Sequence, residues 1–140
     1  MEISEALEFI RERHHGVLTT QKRDGRPQLS TVAYWLGDDG VVRISVTDSR
    51  AKTKNLRRDH RASLYVVRSD FWAYCVIEAD VELLPVATAP DDPTVDALVD
   101  YYRSVMGEHG DWADYRRAMV DEGRLLLLLH PTHAYGMLDR

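Results

Sequence analysis

A single cysteine, Cys75, rules out a disulfide framework in this chain and with it the stapled extracellular miniprotein class. Cys75 sits in an alternating apolar pattern with nothing nearby set to activate its thiol, so it is not read as a nucleophile. The leucine run Leu125–Leu129 is far too short to cross a bilayer. Met1 leads directly into acidic, helix-forming residues with no signal-peptide pattern. A cytoplasmic protein with no membrane partner is therefore the expectation. A net excess of positive charge is also missing: the formal net charge is -5, which argues against a duplex footprint and against nucleic acid as a partner. Gly-x-Ser-x-Gly, Walker and Rossmann patterns are missing. The six histidines match no metal motif: His14 and His15 are adjacent, while His130 and His133 flank Pro131 at a spacing that predicts opposite faces of an extended chain. No metal is expected.

What is present is an ordinary globular composition, 44% hydrophobic and 29% charged, with no linker or repeat, and it predicts one domain over residues 1–140. Against the acidic background one stretch stands out, Ser45 to Arg61. It holds six of the 18 Lys and Arg residues: Arg50, Lys52, Lys54, Arg57, Arg58 and Arg61. The pattern predicts a strand, a turn through Asp48 and Ser49, and a helix from about Ala51. Asp48 or Ser49 is expected to cap that helix, whose first-turn N–H groups carry the positive end of the dipole. Leu56 is its core residue. Lys52 and Thr53 lie four and three residues earlier, on the same side, and Lys54 and Arg58 form an outer row. A lysine on the inward side of a short helix calls for an anion, so the stretch reads as a phosphate site.

The rest of the chain reads in order. Ser4–Arg13 is an amphipathic helix through Ala6, Leu7 and Ile10. Strands follow at 17–20, 28–35 and 41–46, joined by turns at Asp24-Gly25 and Asp38-Asp39-Gly40, and are read as a three-stranded meander. After the basic helix come strands at 62–67 and 74–84. In the latter Cys75, Ile77, Ala79, Val81 and Leu83 face the core. Asp91-Asp92-Pro93 starts a helix over 94–106, a second helix follows over 111–121, and Trp112, Tyr115 and Met119 of that helix read as core. Closing strands at 125–129 and 133–138 flank Pro131. Tyr34, Trp35, Phe71, Trp72 and Tyr74 are denser in aromatics than a plain sheet edge requires and suit a wall for a flat ligand. The order of elements favours a small, mainly β, antiparallel barrel of six strands with flanking helices.

Gly25-Arg26-Pro27-Gln28-Leu29-Ser30, the strand end Ile44-Ser45-Val46 and the segment Arg50-Ala51-Lys52-Thr53-Lys54-Asn55-Leu56 resemble the split β-barrel superfamily of flavin and deazaflavin proteins. That superfamily includes the pyridoxamine 5′-phosphate oxidases. Ala89-Pro90-Asp91-Asp92, Gly107-Glu108-His109, Asp111-Trp112, Asp114-Tyr115-Arg116 and His133-Ala134-Tyr135-Gly136 extend the likeness. It is closest to the short chains of the deazaflavin oxidoreductase B group, which bind coenzyme F420.

The resemblance implies a homodimer with its cofactor at the subunit interface. The cofactor phosphate would meet Arg50, Lys52 and Thr53. Its ring would lie on the backbone of Gln28, Leu29, Ser30 and Thr31 and of Ser45 and Val46. Trp72 and Tyr74, from the same or the other subunit, would close the site, and Lys54, Arg57 or Arg58 would steer the polyanionic tail of F420. The implied activity is hydride transfer between F420 and a small unsaturated molecule. An FMN-dependent oxidase and an F420 store without catalysis are the alternatives. No catalytic residue is assigned; Tyr34 and Tyr74 are the phenols considered as proton donors.

Overall fold

The computed structural model describes residues 1–139. The elements run α1 (Ile3–Arg11), β1 (His15–Gln21), β2 (Pro27–Ala33), β3 (Trp35–Leu36), β4 (Val42–Thr47), α2 (Ala51–Arg58), β5 (Arg61–Val67), β6 (Tyr74–Leu83), α3 (Pro93–Met106), α4 (Trp112–Asp121) and β7 (Arg124–Met137). The strands form a seven-stranded sheet in the order β2-β1-β5-β6-β7-β4-β3, with antiparallel neighbours throughout.

That order corrects the expected meander. β2 pairs with β1 alone, and β4 lies at the other end of the sheet between β7 and β3. Only Tyr34 separates β2 from β3 in the chain, so the two edges of the sheet must come together there and the sheet rolls into a barrel. Tyr34 makes this joint. Its amide donates to His14 O at 2.8 Å, its ring is fully buried, and its hydroxyl donates to Ile10 O in α1 at 2.7 Å. Beyond the joint β2 and β4 face each other without a ladder, and the barrel is split along that line.

The described residues form seven strands where a six-stranded barrel was expected; relative to the segments read from the sequence, Tyr34 cuts the predicted 28–35 strand in two and the two closing strands merge into β7. Pro131 does not break β7. Ala79 lies opposite Pro131 and Glu78 opposite His133, leaving Thr132 as the extra residue of a bulge. A bulge is where a strand tolerates a residue that cannot donate to the ladder. The extra residue also shifts the alternation. His130 lies opposite Asp80 and His133 opposite Glu78, and both histidines share one face instead of taking opposite ones. Among the described residues no cluster of three or more potential metal ligands forms.

The core follows the alternation read from the sequence. Cys75, Ile77, Ala79 and Val81 of β6 are buried with Leu18, Val32, Ile44, Val46, Leu64, Leu125, Leu127 and Leu129. Burial pushes the Cys75 thiol up to about 11, which suits a core residue and not a nucleophile. α1 closes one end of the barrel with Ala6 and Ile10. α3 and α4 form a second cluster with the outer face of β7, through Val95, Leu98, Val99, Tyr115, Met119 and Leu126. The start of α3 is as expected: Asp92 is the N-cap, its Oδ1 accepts from Val95 N at 2.8 Å, and Pro93 occupies the first turn. Among the described residues no helix is long and apolar enough to cross a membrane.

Candidate functional site

The split between β2 and β4 opens into a cleft of about 960 Å³, at the upper end of the size range for small-molecule sites. Leu29 to Ala33 of β2 form one wall and Ser45, Val46 and Thr47 of β4 the other. α3 and α4 lie across one end with Tyr101, Tyr102, Val105, Met106, Tyr115 and Met119. Arg50, Lys52, Glu122 and Arg124 line the remainder.

The ends of this cleft differ in character because different elements build them. At the cationic end, β4 runs out at Thr47 and the chain folds back so that Arg50 N donates to Thr47 O at 3.2 Å before α2 begins. Arg50 is itself the N-cap and no side chain caps the helix. The expected cap is thus corrected: Asp48 is engaged by Arg57 at 2.7 Å instead. Lys52 is half-buried, and its pKa is lowered first by desolvation and then by the charges of Arg50 and Arg124. Among the described residues neither Arg50 nor Lys52 has an ion-pair partner. A desolvated lysine facing two other cations favours an anion between them.

The aromatic end is built for rigidity. Tyr101 donates to Ala33 O at 2.8 Å, and Tyr115 donates to Leu98 O at 2.9 Å. Burial raises the pKa of both phenols; a hydrogen bond from the Ser45 backbone and the charge of Arg124 partly offset this for Tyr101. Tyr102 packs among His109, Trp112 and Tyr115, with ring centroids 4.9–5.7 Å apart. Tyr115 is core, as the helical spacing implied, with Tyr102 and Trp112 partly buried against it, and Tyr102 and Tyr115 are also cleft wall.

Between the ends, Ser30 presents a chemical vacancy. Its Oγ is buried and has no hydrogen-bond partner among the described residues, which is uncommon in folded proteins. A polar ligand group in the cleft would satisfy it. A flat ring with an anionic tail therefore fits the donor set: cations at one end, an unsatisfied hydroxyl midway and aromatic walls at the other end.

Of the residues singled out in the sequence, Leu29, Ser30, Thr31, Ser45, Val46, Arg50 and Lys52 come together in this cleft. The others do not line it. Gln28 pairs with Thr20 in the β1–β2 ladder. Thr53 is inward, as expected, but fully buried, and its hydroxyl donates to Thr47 O at 2.7 Å. Arg57 is held by Asp48. Arg58 is exposed in the outer row as expected; it ties α2 to β1 through Gln21 O at 3.0 Å and bonds Asn55 Oδ1 of its own helix at 3.1 Å.

Trp72 lies at the β5–β6 turn, 64% exposed, and Tyr74 begins β6, three strands from β2 and two from β4, so neither reaches a wall of the cleft. Trp35 packs under Arg43 and against the helix cluster. Tyr34 is excluded as a proton donor, because burial drives its pKa far up and its hydroxyl is committed to Ile10. The charged residues missed were Arg124 and Glu122, which line the cleft from the α4–β7 turn. The Glu122-Gly123-Arg124 spacing carries no motif, and only the pairing of Thr47 with Arg124 reveals their position.

Known proteins share this architecture. A family model described as pyridoxamine 5′-phosphate oxidase matches residues 3–138. A conserved hypothetical protein of Mycobacterium tuberculosis superposes with a TM-score of 0.77 at 22% identity, over 100% of this chain and 86% of that one. A solved structure described as an F420 reductase gives a TM-score of 0.64 at 25% identity, over 91% of this chain and 94% of that one. A putative pyridoxamine 5′-phosphate oxidase from Listeria innocua gives 0.65 at 13% identity, over 96% of each chain. The barrel divided between β2 and β4 is the split-barrel fold of these proteins.

Proposed function

Because the chain belongs to the pyridoxamine 5′-phosphate oxidase family, we propose that its cleft holds a flavin-type cofactor, that this cofactor is coenzyme F420, and that the protein is an F420-dependent oxidoreductase acting on a small unsaturated molecule. The observation that carries the proposal is the joining of Arg50 and Lys52 with the open edges of β2 and β4 and the tyrosine wall in one cleft. The likeness to an F420 reductase across almost the whole of both chains supports the deazaflavin over FMN.

When bound, such a cofactor supplies the hydride chemistry. The chain's own work is binding, orientation and control of water. Arg50, Lys52 and the free N–H groups of α2 hold an anionic group. Ser30 Oγ and the backbone of β2 and β4 orient polar edges, while Val105, Met106 and Met119 exclude water from the apolar end. Tyr101 and Tyr115 are not proton donors on this reading, since their hydroxyls serve carbonyls and burial raises their pKa values. The proton for a reduced product enters from solvent over β2, where Leu29 is 60% exposed.

A homodimer is part of the same proposal. Val17, Tyr65, Val76 and Tyr135 lie directly opposite one another in turn across β1, β5, β6 and β7, and Tyr74 and Met137 form the adjoining pair. This outer sheet face is rich in apolar and aromatic groups and is continuous through Thr31 with the cleft. A second copy packed on it brings a partner's Trp72 or Tyr74 toward the site. An acceptor screen tests the activity: oxidation of reduced F420 with quinone or enone acceptors is expected. Binding without turnover over a broad panel would make the protein a cofactor store.

A further inference from the structure

Arg124 enters β7 directly opposite Thr47, the last residue of β4. The backbone ties this corner twice more. Asp48 N donates to Gly123 O at 2.9 Å, and Arg50 N donates to Thr47 O. Arg50, Lys52 and Arg124 therefore leave one corner of the fold, although more than 70 residues of sequence separate the last from the other two. All three line the same cleft, and one carboxylate, Glu122, lines it with them.

Glu122 and Arg124 face each other across Gly123, whose φ of +64° makes the tight turn out of α4. Arg124 Nε donates to Glu122 Oε1 at 3.0 Å, and Nη1 points to Ser45 Oγ at a long 3.4 Å. One edge of the guanidinium is thus oriented by the protein while the rest of its donors remain for a ligand. Its charge reaches Lys52 on one side and the hydroxyls of Tyr101 and Tyr115 on the other. Arg124 stands where the cationic and aromatic ends of the cleft meet.

A salt bridge as exposed as this contributes little to stability. Three cations against one carboxylate in a chain of net charge -5 are an uneconomical arrangement unless an anion joins them. We propose that Arg124 completes a three-cation site with Arg50 and Lys52, and that this site takes a ligand group carrying two or more negative charges, with Glu122 competing for the guanidinium. The inference rests on the cofactor reading for the identity of the ligand, but not for the site's affinity for a polyanion. Two sources supply that charge: a phosphomonoester, as on FMN, or a phosphodiester with neighbouring carboxylates, as on F420.

Inorganic pyrophosphate is the probe, titrated calorimetrically into apo-protein. Saturable binding is expected for the wild type. Arg124→Gln weakens it about tenfold, the scale of one charge-assisted hydrogen bond. Arg124→Lys falls between, because charge remains without the fork. Glu122→Gln tightens binding by removing the competitor. Should Arg124→Gln melt early, the Lys and Glu122→Gln variants carry the test, since neither removes the cation. No saturable binding to the wild type, or the same affinity in all four proteins, overturns the proposal.

Two ligand pairs identify the source: FMN against riboflavin, and F420 against its phosphate-free ring-ribitol core. The Arg124 effect is expected only on the phosphate-bearing member of the pair that binds. An equal effect on the phosphate-free member would place Arg124 on the ring and overturn the inference. Arg124-dependent pyrophosphate binding without binding of either cofactor would sustain the site and defeat the proposed function. F420 binding that is indifferent to Arg124 would do the reverse.

Discussion

The hydroxyl of Tyr101 donates to the carbonyl of Ala33 at 2.8 Å, fastening α3 to the last residue of β2 at the mouth of the split. β2 and β4 have no ladder between them, so this bond helps to set the width of the cleft. Tyr101→Phe keeps the ring and removes it. A loss of about 1 kcal/mol of stability is expected, visible as a lower urea midpoint at constant slope. An unchanged midpoint would mean that the helix cluster alone holds the opening.

Lys52 and Thr53 are neighbours with opposite expected effects. Lys52→Ala should weaken cofactor binding by about 1–3 kcal/mol, the range for hydrogen bonds to charged groups, with little change in stability. Thr53→Val removes the bond to Thr47 O inside the fold and should cost stability, about 1 kcal/mol, before it costs affinity. Calorimetric titration and chemical denaturation of both variants separate the two. Equal affinity of the Lys52 variant and the wild type would remove Lys52 from the site.

The depressed pKa of Lys52 gives a pH dependence with a definite sign. The free protein releases this proton below the ordinary lysine value of 10.5, and a bound anion opposes the release. Affinity for an anionic ligand is therefore full at neutral pH and falls as pH rises through the lowered pKa. In the free protein the same shift is unfavourable while Lys52 is charged, so stability rises with pH between the folded and unfolded pKa values. Binding measured from pH 7 upward should show the fall in the wild type and lose it in Lys52→Ala.

Much of this was legible in the sequence because period-two and period-3.6 patterns report burial directly. The inward faces of β6 and α2, Lys52's place on the inward side of its helix and the cap of α3 followed from spacing alone. The failures share one cause: they depend on what lies across the sheet. Nothing local in 28–35 says that Tyr34 will leave the ladder for Ile10, and nothing in 129–133 says that Thr132 will bulge and bring His130 and His133 to one face. The caps and pairs of Asp48, Arg57 and Arg58 are likewise choices among partners of equal local merit. Arg124 joins the cleft only through its register with Thr47.

The proposed dimer has its own test. Light scattering at micromolar concentration should give twice the mass of the 16.1 kDa chain, and a charge introduced at the exposed Tyr135, as Tyr135→Asp, should lower it by placing an unpaired carboxylate in an apolar interface. A wild-type monomer would remove the shared-site arrangement. It would also leave Trp72 and Tyr74 without a role in binding.

The central claim is that the split between β2 and β4 is an F420 site, and a parallel titration of apo-protein with F420 and FMN tests it most directly. The account predicts saturable binding with clear preference for F420. Preference for FMN, or binding of neither, would contradict it.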